Sequence, residues 1–420
     1  MSRRTYGNTL LLWLKLICCM VKDNSKLFLL VLLGMLTAFG PFVTDMYLPS
    51  LPAMGDYFQT ASSMVQLGLT TSMIGLAAGQ ILFGPLSDRY GRRIPLLAAM
   101  WLFIVSTILC LFARDIHQFV AFRLVQGIAG AGGIVIARSV AADKYSGKEL
   151  AKMLAVIGAI NGVAPVVAPI IGGVFTEAIG WQGIFGILLG LGVVLLVGSY
   201  CFRESLPKEH RSVSRWGDTF RSFKVVLQDR QYVFYVLQMA FAQGVLFAYI
   251  SSSPFIVQQH YGYSPLVFSF CFAVNAVAIG GAAATSVKFR RPVSSTLIGC
   301  VGMAVAALGE CTALMTGCSF WMYEALLLVL LFMMGLTFTS TTTLAMECQR
   351  DNAGTASALL GAVCFASGGI VSPLVGLGDI LVSTGIIFVI SAGCSLSCIL
   401  LALGKRRARL YFAFGTSPKR

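Results

Sequence analysis

A charge inside a stretch long and apolar enough to cross a bilayer costs roughly 2.5–3.5 kcal/mol on insertion scales, so each such charge asks for a purpose. Two of them frame the chemistry open to this chain. Asp45 stands in Phe42-Val43-Thr44-Asp45-Met46-Tyr47-Leu48-Pro49, near one end of an apolar run. Arg123 opens Arg123-Leu124-Val125-Gln126-Gly127-Ile128-Ala129-Gly130-Ala131 in another. Their depths roughly match, so a pair across two helices is geometrically open to them. An aspartate so placed can carry a proton, because desolvation favours the neutral acid and a nearby guanidinium favours the carboxylate. Arginine does not release a proton at useful pH, so its part would be to set the affinity of the acid. The plainer alternatives are a salt bridge that only holds two helices together, and an aspartate that reaches outside water.

Arg123, Gln126 and Gly127 stand at i, i+3 and i+4 and share one helix face. The small residues that follow, through Gly132 and Gly133, allow close helix packing. Arg138 lies about 60° around the helix from Arg123 at 100° per residue, so both can face one cavity; the alternative for Arg138 is snorkelling to the membrane surface. Tyr47, Gln126, Arg138, Phe247 and Tyr249 form the candidate lining of a substrate cavity. Glu310 and Glu324 are weaker candidates that can simply sit at the outer interface. The three histidines, His117, His210 and His260, fall at span ends or in loops, and no span gathers His, Asp and Glu together. That argues against an enzyme and against a metal site, and no cofactor is expected.

The elements that must position these residues follow from composition. The chain has 420 residues, 57% hydrophobic and 11% charged, with a mean hydropathy of +0.82; soluble domains carry about 25% charged residues. A spanning helix needs about 20 apolar residues, so this length suits twelve of them in an all-α polytopic membrane protein. The spans are expected at about 27–48, 64–83, 94–112, 117–141, 151–175 and 183–202 in a first half. In a second half they fall at about 232–257, 265–287, 295–315, 321–346, 354–377 and 382–404. The long polar stretch between the halves is expected to be a cytoplasmic linker, residues 203–231, and two six-helix halves joined this way suggest a duplication. A segment 1–26 and a tail 405–420 would flank them.

Between spans 2 and 3 runs Gly84-Pro85-Leu86-Ser87-Asp88-Arg89-Tyr90-Gly91-Arg92-Arg93. Gly84 and Gly91 allow a tight turn, Pro85 is expected to break the helix before it, and Arg89, Arg92 and Arg93 place the loop in the cytoplasm. Asp88 among three bases is not needed for a topology signal. All Lys and Arg except Arg114, Arg123 and Arg138 fall on the same inferred side, out of 31. The net charge of +14 is therefore topological and gives no reason to expect nucleic acid as a partner. Both termini are expected in the cytoplasm. The patch Leu10 to Met20, with Trp13 and Lys15, is too short to span and suits the interface. Lys288-Phe289-Arg290-Arg291-Pro292 looks like a degenerate counterpart of the Asp88 loop. The twelve cysteines sit mostly in apolar spans and read as core residues, Cys18-Cys19 included.

Span 5 reads Gly162-Val163-Ala164-Pro165-Val166-Val167-Ala168-Pro169-Ile170-Ile171-Gly172-Gly173. Two prolines with Gly162, Gly172 and Gly173 suit a bent helix packed closely at a domain interface.

The ten residues around Asp88 resemble the signature loop of the major facilitator superfamily, with every position of G-x-L-x-D-R-x-G-R-R filled. Over residues 27–404 the chain resembles the Bcr/CflA (bicyclomycin-resistance-type) drug:proton antiporters. The resemblance is carried by Asp45-Met46-Tyr47-Leu48-Pro49, the Asp88 loop, the Arg123 segment, Phe247 to Phe255 and Gly354-Thr355-Ala356-Ser357-Ala358. Span 5 looks like the family's antiporter motif, with Ala164 before Pro165 where antiporters often have Gly.

The resemblance implies a major facilitator fold that works by alternating access, as a monomer in the inner membrane. Efflux of small amphipathic compounds would be driven by the proton gradient through Asp45 and Arg123. The Asp88 loop would latch the cytoplasmic side, with Asp88 facing the start of span 11 at Asn352 and Gly354. The alternative on the same fold is a specific transporter of a nucleoside, sugar or peptide.

Overall fold

The computed structural model describes residues 24–211, 223–349 and 353–414. The patch Leu10–Met20, Cys18-Cys19, the middle of the expected linker and Asn352 lie outside the described residues.

Among the described residues eleven helical runs are long and apolar enough to cross a membrane, and one of them, Lys152–Cys201, is 50 residues long. That run is two spans. Within the helix Gly147–Cys201, Gly180 has φ 65° and ψ −176°, a conformation that glycine alone adopts without strain. The result is twelve spanning helices. The first four are α1 Lys26–Asp45, α2 Ser62–Tyr90, α3 Arg93–Leu111 and α4 Ile116–Lys144. The next four are α5 (147–179), α6 (181–201), α7 Arg230–Phe255 and α8 Pro265–Ser286. Then come α9 Pro292–Thr316, α10 Phe320–Cys348, α11 Ala353–Val375 and α12 Ile380–Phe414. Several begin on side-chain caps that occupy otherwise orphaned amides: Ser25 accepts from Phe28 N, Asp115 from Gln118 N, Asp229 from Gln231 N and Ser264 from Val267 N.

Three boundaries differ most from the sequence expectation, one of them the end of α12, which runs on to Phe414 through the expected start of the tail. Span 1 ends at Asp45, and after a turn the chain continues as the 3-10 turn Leu48–Ser50 and a short helix, Leu51–Phe58. In α2, Pro85 does not end the helix, which runs on to Tyr90. A proline removes one backbone hydrogen bond, and the helix continues because the stop comes from Gly91, whose φ of 88° leaves the helical region. The expected ten-residue loop is thus mostly helix end, and the turn itself is Gly91 and Arg92.

Helix neighbours repeat with an offset of six. The pairs α2–α4 and α3–α4 recur as α8–α10 and α9–α10. The packing of α1 against α5 and α6, with Gly34 on Ile160 and Gly198 on Leu32, recurs as α7 against α11 and α12. The tightest approach is α2 on α4, where Gly127 lies against the backbone of Ser72 and leaves no room for a side chain. This explains the small-residue run after Arg123.

The two sets of six meet through α2 with α11 and α5 with α8. At the end that carries Asp45 these contacts are closed. Gln66 Nε2 donates to Ser251 O (3.0 Å), Gln258 Nε2 donates to Pro49 O (3.0 Å), and Gly376 abuts Ser63. At the Asp88 end a cavity of about 610 Å³ separates α2 and α4 from α11.

Candidate functional site

Asp45 is the last residue of α1 and is 6% exposed. Thr44 Oγ1 donates to its Oδ1 at 2.7 Å. The Asp45–Arg123 ion pair expected from the sequence does not form in this conformation. Arg123 is fully buried, and its guanidinium takes other partners: Nη1 donates to Gln126 Oε1 (2.5 Å) and Nη2 to Val43 O (3.1 Å), while its Nε has no acceptor. It also lies over the rings of Tyr47, 4.4 Å from the centroid, and Phe185, at 5.6 Å. Val43 O is among the last four carbonyls of α1, which have no helical partner and form the negative end of the helix dipole. Arg123 therefore caps α1 from α4 and is held by aromatic faces rather than by the acid.

This arrangement revises the expected cavity. Tyr47 is fully buried, with Arg123 over its ring and Phe185 at its edge (centroids 5.7 Å), so it belongs to the packing of the first half. Gln126 is fully buried too, and its Nε2 donates to Thr107 Oγ1 (2.7 Å) on α3. Arg138 does line the 610 Å³ cavity, beside Gln80, Ser139, Thr355 and Ser357. Arg123 and Arg138 thus do not face one cavity, because fifteen residues of helix put them about 22 Å apart along α4. Phe247 packs on Gly368 and Phe365 of α11, and Tyr249 is 2% exposed, stacked on Phe272 (5.4 Å, 20°).

At the other end, Arg92 is the hub of the Asp88 turn. Its Nη1 donates to Asp88 Oδ1 and to Ser87 Oγ (2.8 Å), and its Nε donates to Asp143 Oδ2 of α4 (2.8 Å). Burial works against its charge, but the hydrogen bonds to Asp143 and Asp88 more than offset that and raise the guanidinium above its ordinary range. Glu204, just past α6, accepts from the backbone amides of Arg92 (2.8 Å) and Arg93 (3.2 Å), and Ser205 Oγ donates to Asp143 (2.9 Å). Arg93 Nη2 donates to Tyr200 O, and Arg89 lies over the Tyr90 ring (5.5 Å). Asp88 thus binds within its own half, and both Asp88 and Gly84 line the cavity that separates them from α11.

In α5 the close packing expected of the glycines is found at Gly172 and Gly173. Pro165 and Pro169 lie inside the helix, Gly172 abuts the carbonyl of Met46, and Gly173 abuts Ser269 and the carbonyl of Pro265 in α8. Gly162 faces open space.

Sequence reading did not find the partners that complete these groups. Asp143, Glu204 and Ser205 look like ordinary loop polars, and only the fold brings them to Arg92. Nor did it find the buried network in which Thr341 donates to Gln238 Oε1 (2.6 Å) and Gln238 Nε2 to Ser395 (3.0 Å). In the second half this ties α7, α10 and α12 as Arg123 and Gln126 tie α1, α3 and α4 in the first. Among the described residues no cluster of His, Cys, Asp and Glu is arranged to hold a metal ion.

The Major Facilitator Superfamily model matches residues 27–373. The chain belongs to that superfamily. It is similar to the uncharacterized MFS-type transporter YdgK of Bacillus subtilis, 37% identical over 362 residues, covering 85% of this chain and 90% of that protein. A bicyclomycin resistance protein homolog of Haemophilus influenzae is 26% identical over 361 residues, 85% and 90% of the two chains, in keeping with the resemblance found in the motifs. Among solved structures, a D-xylose-proton symporter superposes with a TM-score of 0.71 at 17% identity, over 88% of this chain and 97% of that one. This protein is a multi-pass membrane transporter, not an enzyme.

Proposed function

We propose that this transporter exports small amphipathic compounds in exchange for protons, by alternating access, as a monomer in the cytoplasmic membrane. The observation that carries export is the relationship to proteins named for resistance. To the bicyclomycin resistance homolog are added a chloramphenicol resistance protein of Pseudomonas aeruginosa, 29% identical over 237 residues, and a multidrug resistance protein of Citrobacter koseri, 25% identical over 378 residues. The geometry supports it, since a cavity lined by Leu86, Val135, Phe223 and Ala358 with the polar groups of Arg138 and Gln80 suits an apolar body with a polar handle. In this reading the Asp88 end is cytoplasmic, the structure is open inward, and the halves 27–202 and 232–404 rock about the interface formed by α2, α5, α8 and α11. Asp45 is the proton-carrying group. The experiment is a susceptibility panel, bicyclomycin and chloramphenicol included, in cells that lack their own exporters. Expression should raise resistance to several of these compounds. Unchanged resistance alongside saturable uptake of one nucleoside, sugar or peptide would favour the specific-transporter reading.

Orientation is checked separately. Both termini and the linker 203–231 are assigned to the cytoplasm by their bases. Exposed Lys208 is a suitable reporter. In a version without native cysteines, Lys208→Cys should resist an impermeant thiol reagent in intact cells and label once the membrane is opened. Labelling of intact cells would invert the topology.

Asp88 is the latch in this reading. Asp88→Asn removes the carboxylate charge that pairs with Arg92, while Asp143 still holds that guanidinium, so insertion and folding should be retained. Transport should fall several-fold through slower return to the outward-open state. Wild-type transport by a well-expressed Asp88→Asn protein reduces this turn to a topology signal.

A further inference from the structure

Glu310 of α9 is completely buried, and neither of its carboxyl oxygens has a hydrogen-bond partner. Among the described residues no Lys or Arg forms an ion pair with it or with Glu324 of α10. An ionised carboxylate left without donors in such a place costs several kcal/mol, more than a helix packing contact returns.

Polar side chains approach it from two neighbouring elements. Glu324 and Tyr323 come from α10, Tyr261 from the turn after α7, and all three lie within electrostatic reach of Glu310. On the other side, α12 meets α9 with Gly385 against Cys311. Glu324 is half-buried and accepts from Asn275 Nδ2 (2.8 Å) of α8, and the same nitrogen reaches the Tyr249 hydroxyl (3.3 Å) of α7. Asn275 is 1% exposed, with its Oδ1 unpartnered. The Tyr249 hydroxyl lies within electrostatic reach of both Glu324 and Asp45. Hydrogen bonds therefore join Tyr249, Asn275 and Glu324 into one group beside Glu310, toward the Asp45 end of the molecule.

We propose that Glu310 and Glu324, with Tyr249, Asn275 and Tyr323 around them, form a second proton-binding site, carried by the second half of the transporter. One proton is held by the pair. Glu324, the half-buried member, exchanges it with water at the Asp45 end. Glu310 stores it where no donor can support a negative charge. Transfer moves a proton from the Glu324 carboxyl to the Glu310 carboxylate, so the charge of the pair does not change until the proton leaves for water. Movement of α10 against α9 as the halves rock would alter which of the two acids is wetted, and with it the proton occupancy. The role in transport rests on the proton-coupled reading above, whereas occupancy of the site does not.

The test is infrared difference spectroscopy of the purified full-length protein during a pH titration, read at the protonated-carboxyl stretch, which needs no substrate. Wild type should show a buried-carboxyl band at neutral pH. Glu310→Gln, neutral and of the same size, should lose one carboxyl's share of it, and Asp45→Asn should keep that share. Glu310→Asp should retain the band at a shifted frequency, which guards against a Gln variant that merely folds poorly. Identical carboxyl bands in wild type and Glu310→Gln overturn the site. If Asp45→Asn still exports uphill while Glu310→Gln loses the band, the Asp45 assignment fails and this one stands.

Discussion

Asp45→Asn should abolish uphill export and leave substrate binding measurable. The substitution keeps the shape and the hydrogen bond from Thr44 Oγ1 but removes the carboxyl proposed above to take up and release the proton. Only the energy source is lost. At a working potential of about 150 mV and roughly 2.3 kcal/mol per charge per 100 mV, one entering proton supplies ~3.5 kcal/mol. At ~1.4 kcal/mol per tenfold, that sustains a gradient of a few hundred-fold for a neutral compound, and the variant should show none. The measurement is reconstitution into liposomes with an imposed proton gradient, using a compound that the susceptibility panel identifies. Wild type should accumulate it, whereas Asp45→Asn should only equilibrate it, with an unchanged Kd in detergent. Accumulation by Asp45→Asn would move the coupling group elsewhere, with Glu310 and Glu324 next in line.

Much of the fold was legible because the bilayer permits so few solutions. A spanning helix must satisfy its own backbone and needs about 20 apolar residues, so hydropathy alone located the spans. The ends were less legible. Pro85 is a strong breaker by type, yet the helix runs to Tyr90, because only Gly91 takes the left-handed conformation that closes it. The site divided along the same line. That Asp45 and Arg123 are special follows from the expense of burying charge. Their partners do not, because a guanidinium can be satisfied by any combination of carbonyl, amide and ring face. Which of these it finds depends on Val43, Gln126, Tyr47 and Phe185 arriving together from three helices. Glu310 was undervalued for a related reason. Near the end of a span a glutamate can reach water, and only the packing of α9 against α10 and α12 shows that this one does not.

Arg123 carries the prediction that separates sequence expectation from structure most sharply. If it were the ion-pair partner of Asp45, removing both would cost little more than removing one. The structure gives it a different part, capping α1 from α4, so its loss should act on stability and independently of Asp45. Arg123→Ala strands Gln126 Oε1 and the carbonyl of Val43, each worth about 1–3 kcal/mol when left unpaired. It also removes a buried cation from two aromatic faces, worth about 2 kcal/mol. A loss of about 4–8 kcal/mol is expected from these terms, read as a large fall in apparent Tm and in folded yield. Arg123→Lys should recover only part of it, since an ammonium cannot present two fixed donors while lying flat on Tyr47. In a double-mutant cycle with Asp45→Asn the stability changes should add to within about 0.5 kcal/mol, as for separate sites. A coupling of 1 kcal/mol or more, at a level typical of residues in contact, would mean that Asp45 and Arg123 do pair in another conformation of the cycle, and that the arginine lets go of α1 to do so.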